Sequence, residues 1–434
     1  MTYEAMKNFM NTPDWEKMLD KLYAGSEMGA QQERYEFLLT EYGSFFGKND
    51  DDMRIYSSPG RTEIGGNHTD HNYGKVLTGS IDLDSIAVVA PTDDGVITIH
   101  DVKYKEDFSI SIDDVEKQND EHGAMSLIRG IVKGFQDRNL KVGGFRACIT
   151  SSVISAAGVS SSASFEMLIC TIIDDFYNQG SISKSVYAQI GQFAENVYWE
   201  KQSGLLDQTA CAVGGLIAID FKNPVKPEIQ KIDGDFTDYG YRLVIVNTGS
   251  SHADLSQEYS SIPEEMKRIA AFFDMKVCRE ISKEQVLNQI PAIREAAGDR
   301  AILRALHFFE ENDRVDREVE ALQNKNFTTF LEEVNASGDS SWKWLQNCVC
   351  PGASEDQPIP VTLALTDLFI RKKGIKAAHR IHGGGFAGVI LAILPEGEAG
   401  EYADYIRDAG KEPFTMCIRK YGAINILKTL GVNA

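Results

Sequence analysis

The chain has 434 residues, 43% of them hydrophobic and 25% charged, which supplies enough apolar side chain for a folded core and excludes a disordered polymer. At this length two domains of roughly 200 residues each are expected rather than one continuous core. The formal net charge of −20 opposes nucleic acid and anionic lipid, and no basic patch with interleaved aromatics offsets it, so any anionic ligand has to be held locally by helix-start amides, arginine or a metal.

The seven cysteines (Cys148, Cys170, Cys211, Cys278, Cys348, Cys350, Cys417) are odd in number and lack C-x-x-C spacing, which points away from a disulfide framework or a zinc site. Free thiols suit a cytoplasmic protein. The opening MTYEAMKNFMNTPDWEKMLDKL has no signal-peptide apolar run, and no stretch approaches the ~18 apolar residues of a membrane span.

In chain order, residues 14–46 are expected to be helical and to lead into a β-rich region. RIYSS, LDSIAVVAPT, GVITIHD and EDFSISI are short, β-branched and punctuated by Gly, Asp and Pro, as strands and turns are. FRACITSSV (145–153) is the next strand, followed by a glycine- and serine-rich loop, AAGVSSSASFE (156–166), and a helix. That helix carries Phe165, Leu168, Ile169, Ile172, Ile173 and Phe176 at i, i+3, i+4, i+7, i+8 and i+11, an apolar stripe of helical period. A second helix over 183–200 places Val186, Ile190, Phe193 and Val197 on one face, with Glu195 about half a turn away. LIAID (216–220) and YRLVIVNTG (241–249) are strands, and 252–273 is a helix that starts a more helical second domain beyond a boundary near 225–240. VILAIL, directly after HGGGFAG (382–388), fits a buried strand through its branched residues and short length.

Three small-residue segments, SPGRTEIGGNHTDHNYGKVL (58–77), AAGVSSSASFE and HGGGFAG, are far apart in sequence but share one chemistry: small residues let backbone amides approach phosphate oxygens. Each also has a plainer reading. Serine is a preferred helix cap, yet Ser160, Ser161 and Ser162 behind Gly158 exceed what capping requires. HGGGFAG contains G-x-G-x-x-G, but a strand rather than a helix follows it, so the dinucleotide fingerprint does not apply. The esterase reading of the same segment requires a G-x-S-x-G elbow, and neither that motif nor a P-loop occurs. HTDH (68–71) lacks a further partner at metal spacing and suits sugar hydroxyls better. Asp207, in apolar SGLLDQTA, has to be paired or functional.

Together these segments resemble the GHMP small-molecule kinases, and within them the galactokinases, over nearly the whole chain from about residue 53. GRTEIGGNHTDHNYGKVL is similar to the signature G-R-x-N-x-I-G-E-H-T-D-Y-N-x-G-x-V-L, GVSSSAS to the phosphate loop G-L-S-S-S-A-S, and HGGGFAG to G-G-G-F-G-G. Glu195 and Asp207 keep the family's spacing, and HADLSQEY (252–259) resembles the segment whose tyrosine lines the sugar pocket. The resemblance implies an α+β two-domain fold: a helical extension over 1–50, a ribosomal protein S5 domain 2-like N-terminal domain over 51–235, and a ferredoxin-like C-terminal domain over 236–434. It implies ATP and Mg²⁺, a small sugar, no nucleic acid or membrane partner, and a monomer or weak homo-oligomer.

Carried residue by residue, the resemblance makes Asp207 the group that accepts or electrostatically prepares the anomeric hydroxyl, with Arg61 beside it. Ala157, Gly158, Val159, Ser160, Ser161, Ser162 and Ala163 would hold ATP, and Ser162 and Glu195 the magnesium, the choice among serines 160–162 being open by one position. Asn67, His68, Asp70, Gly204 and Tyr259 would contact the sugar. Departures concern substrate and phosphate: Asn67 stands for a glutamate that faces the carbon-6 hydroxyl, Glu63 for an asparagine, His71 for a tyrosine, Ile154 and Ala156 for proline and glycine, and Ser251 for an arginine. The implied activity is phosphorylation of the anomeric hydroxyl of galactose. The alternatives are a kinase for a uronic acid or amino sugar, motivated by Asn67, and a catalytically silent galactose sensor, which the intact SSSAS disfavours.

Overall fold

Long runs of branched apolar residues alternating with Ser, Thr and Gly build two extended antiparallel strands, β1 (Arg54–Gly65) and β2 (Lys75–Thr92), in register from Arg54 opposite Val89 to Gly65 opposite Leu77. The computed structural model describes the chain apart from residues 24–27, 49, 51, 119–122, 155–157, 202, 250–255, 353–354 and 432–434. Around this pair β3 (Val96–Asp101), β4 (Glu106–Ser111), β5 (Gly144–Ser151), β6 (Leu216–Asp220) and β7 (Glu228–Ile232) complete most of one sheet, in which β5 runs parallel to β3. The resulting fold is α+β.

The second sheet has the order β11-β8-β10-β9, all antiparallel, from β8 (Tyr241–Asn247), β9 (Ala378–His382), β10 (Val389–Pro395) and β11 (Glu412–Met416). With the helices Pro358–Lys373 and Glu396–Asp408 between them, these strands give the ferredoxin-like order 4-1-3-2. The helices Ser256–Phe272 to Phe327–Ser340 are inserted after its first strand. Finally β12 (Ile424–Asn425) returns to the first sheet and pairs with β1. An apolar cluster that includes Ile64, Ile81, Val153, Val159, Ile245, Val389 and Leu391 joins the two sheets, so the segment between Val153 and Val159 is anchored at both ends in the seam.

The helix expected after the serine run spans Ser161–Tyr177 and packs on β1 and β2. Leu168, Ile169, Ile172 and Ile173 are fully buried, each worth roughly 1.5–3 kcal/mol of transfer free energy. The expected 14–46 helix is instead two described helices, Pro13–Leu22 and Met28–Phe45, preceded by Tyr3–Phe9. They bury Trp15, Tyr23, Tyr35 and Tyr42 against Ile55, Ile86, Val88 and Cys148.

That cover is fastened by one buried charge. Asp84, on β2, accepts from Arg419 at 2.8 Å and from Arg34 at 3.0 Å, and also from Tyr23 and Ser57; the Asp84 and Arg419 side chains are both fully buried. Asp84→Ala would strand Arg419, so a loss of about 3–5 kcal/mol in stability is expected, read as a lowered urea midpoint. An unchanged midpoint would refute this account of the fastening.

Candidate active site

The first motif segment is mostly strand. Pro59, Gly60, Gly65 and Gly66 suggest turns in the sequence, but residues up to Gly65 continue β1, with irregular pairing at Pro59/Arg61 and Glu63/Gly65. Gly60 is required because a Cβ there would stand 2.7 Å from the Val159 carbonyl oxygen, the acceptor for the Arg61 amide at 3.2 Å. This close approach sets the serine loop against Arg61. Gly158 and Ser160 adopt positive φ (65° and 61°), and the helix starts at Ser161. Amides of its first turn have no intrahelical acceptor and form an anion-binding end. Ala157, expected to share that role, lies outside the described residues, as do Ala156 and Ser251.

Asp207 sits in the first turn of the helix Leu206–Val213, its side chain 30% exposed at the cleft. Arg61, nearly buried, donates to Oδ1 through Nε at 2.8 Å and lies 2.7 Å away through Nη2, while Ser160 Oγ donates to Oδ2 at 2.5 Å. Arg61 also donates to the Gly158 carbonyl, so one guanidinium ties carboxylate to loop. Burial opposes the charge on Asp207, but Arg61, the Ser160 hydroxyl and Lys201 outweigh it and hold the carboxyl below its usual range.

One helical step away, Ser162 Oγ donates to Glu195 Oε1 at 2.7 Å. The expected helix over 183–200 is α-helical over Lys184–Phe193 and then widens into a π turn, Ala194–Tyr198. The extra residue rotates the face: Glu195 is 1% exposed, whereas Val197, expected on the apolar stripe, is 45% exposed. Two partners of Glu195 were not legible as a motif. Lys201 Nζ lies 2.7 Å from Glu195 Oε1 and 3.1 Å from Ser162 Oγ, and Gln208 Nε2 donates to Glu195 Oε2 at 2.9 Å and to Glu166 Oε2 at 3.1 Å. Burial, reinforced by the Glu195 charge, pushes Glu166 well above the usual carboxylate range. Two hard oxygens 2.7 Å apart that share contact with one ammonium suit a small divalent cation.

The candidate sugar residues meet in two groups, Asp70 against Gly204, and His68 and Tyr259 on either side of Gly384. His68, at φ 60°, meets the Gly384 carbonyl through Nε2 at 2.8 Å, which requires the proton on Nε2. Burial, with His71 nearby, lowers its pKa to about 4, so the ring is neutral. Gly204 abuts the Asp70 carboxylate so closely that a methyl group there would overlap it. Tyr259 donates to the Gly385 carbonyl at 2.8 Å and stands edge-on to Phe386. His382, opening HGGGFAG, accepts the Glu63 amide on Nε2 at 3.0 Å, which puts the proton of the neutral ring on Nδ1.

Asn67 is not brought to the cleft surface. It is fully buried, donates to Glu63 Oε1 at 2.8 Å and to the Gly383 carbonyl at 2.7 Å, and accepts from Asn347 at 2.9 Å. The two departures from the galactokinase signature at 63 and 67 are therefore one exchange: acid and amide have swapped places and bond each other. The carboxyl group stays, on Glu63, faced by Arg380 at 3.2 Å; burial raises its pKa, with Arg380 and Arg61 opposing the shift.

Residues 40–91 match the family model for the galactokinase galactose-binding signature, and residues 126–215 the model for the GHMP kinase N-terminal domain. The chain is 29% identical over 396 residues to a galactokinase of Haemophilus influenzae (strain PittGG), covering 86% of this chain and 95% of that protein. It is 29% identical over 376 residues to a galactokinase of Actinobacillus pleuropneumoniae serotype 5b (strain L20), covering 83% and 91%. The structure is similar to the galactose complex of Lactococcus lactis galactokinase, with a TM-score of 0.76 and 25% identity, over 90% of this chain and all of that one. The Methanococcus jannaschii mevalonate kinase shares the fold at a TM-score of 0.59 and 16% identity, over 84% and 98%.

Proposed function

From a chain that belongs to the galactokinases of the GHMP kinase superfamily, we propose ATP-dependent phosphorylation of the anomeric hydroxyl of galactose, giving galactose 1-phosphate and ADP. The observation that carries the reading is the juxtaposition of Asp207, Arg61 and Ser160 at one end of the cleft with the open start of the Ser161–Tyr177 helix.

In this reading the helix-start amides from Gly158 to Ala163 cradle the nucleotide phosphates, and Asp207 orients the anomeric O–H and accepts its proton as the O–P bond forms. A carboxylate kept ionised by Arg61 is a weak base. That suffices, because phosphoryl transfer runs through a loose transition state that asks little of the nucleophile and much of positioning. Magnesium, held by Ser162 and Glu195, would supply charge neutralisation of the phosphate oxygens. His68, Asp70, Gly204 and Tyr259 shape the sugar side. Among the described residues no helix is long and apolar enough to cross a membrane, and the seven free thiols fit our placement of the enzyme in the cytoplasm.

In the Glu63/Asn67 exchange the acid is kept one strand end away and is paired with Asn67 and Arg380, so the amide at position 67 does not argue for a sugar acid. A coupled ADP-release assay over hexoses, hexosamines and uronic acids tests this. Galactose is expected to be turned over faster than any hexosamine or uronic acid. Faster turnover of galacturonate would replace galactose with the acid. Galactose binding without ADP release from any sugar would leave the sensor.

A further inference from the structure

Lys201 belongs to none of the motifs, yet its ammonium caps the hydrogen-bonded pair of side chains assigned to magnesium, touching both oxygens. Its backbone amide is fixed on the Glu195 carbonyl at 3.0 Å, just beyond the π turn, so the stem leaves the backbone beside the carboxylate it neutralises. Nζ is 2.7 Å from Glu195 Oε1 and 3.1 Å from Ser162 Oγ, and the side chain is 48% exposed. The other cation nearby, Arg61, is committed to Asp207 and the Gly158 carbonyl.

We propose that Lys201 is an exchangeable cation: it lies against the paired oxygens of Ser162 and Glu195 in the nucleotide-free enzyme, and moves onto a phosphate oxygen when the magnesium nucleotide arrives. The proposal rests on the assignment of Ser162 and Glu195 as magnesium ligands. A magnesium ion needs its oxygens at about 2.1 Å in octahedral array. The oxygens that would bind it are the ones the ammonium holds, so ion and ammonium exclude each other. Free metal offers Lys201 no new anion in return for Glu195. A triphosphate does, and a half-exposed, four-carbon stem can follow it. Metal therefore loads together with nucleotide rather than ahead of it, and the site keeps a positive charge in both states.

The test uses Mn²⁺ alone as a probe on the nucleotide-free enzyme, read by electron paramagnetic resonance, and a nonhydrolysable ATP analogue with Mg²⁺, read by calorimetry. Lys201→Met should bind Mn²⁺ at least about tenfold tighter than the parent and the analogue about tenfold more weakly. Lys201→Arg should behave like the parent, and adding Glu195→Gln to Lys201→Met should abolish the gain in Mn²⁺ binding. If Lys201→Met changes neither affinity beyond about twofold, the exchange is wrong while the assignment of Ser162 and Glu195 stands. If the gain in Mn²⁺ binding survives Glu195→Gln, the metal is elsewhere and the assignment itself falls.

Discussion

Asp207→Asn is expected to lower kcat by ~10²–10⁴-fold, the usual toll for removing a positioned acid/base group, while nucleotide-analogue binding and the melting temperature change little. Asparagine is the cleaner substitution. Its carbonyl still accepts from Arg61, which alanine would leave buried with only the Gly158 carbonyl as acceptor. What the amide lacks is negative charge and the capacity to take the hydroxyl proton. Because a loose transition state leans on positioning more than on base strength, the lower half of that range is the better expectation. Steady-state kinetics beside calorimetry of the analogue separates the two contributions. Turnover of Asp207→Asn within about tenfold of the parent would remove Asp207 from the chemistry.

How much of this site could be read from the residues differs from segment to segment, for physical reasons. The Ser161–Tyr177 helix was legible because its apolar stripe repeats with helical period over its length. VILAIL became β10 as its branching suggests. The helix over 183–200 was legible only as far as Phe193. One residue inserted as a π turn shifts every later side chain around the axis, and no propensity marks that insertion. The segment from Pro59 to Gly65 is strand despite its small residues, because Gly60 serves close approach of the Val159 carbonyl and Gly65 that of the Glu318 carboxylate rather than chain reversal. Likewise the pairing of Glu63 with Asn67 depends on both side chains pointing the same way across an irregular strand end, which spacing alone does not give. Lys201 carried no signal, since a single lysine in a polar connection is indistinguishable from a solvated one until Glu195 is turned inward.

The second large effect concerns Arg61. Arg61→Met should reduce kcat/KM by ~10²–10³-fold and move the acid limb of its pH profile upward by ~1–3 pH units. In the parent, burial raises the Asp207 pKa, and Arg61 together with the Ser160 hydroxyl and Lys201 more than reverses it, so the carboxylate is ionised to below the ordinary range. Asp207 thus favours the folded state above its unfolded pKa of about 3.9, and that contribution fades as pH falls through the lower folded value. Without Arg61, burial remains and its main compensation is gone. The folded pKa then rises above the unfolded one, so ionising Asp207 at neutral pH works against folding, and the variant should melt at higher temperature at pH 5 than at pH 8 relative to the parent. Kinetics and melting therefore move together with pH, which loss of a merely structural arginine would not produce. An acid limb that stays in place in Arg61→Met would break the electrostatic link between Arg61 and Asp207, even if the rate fell as expected.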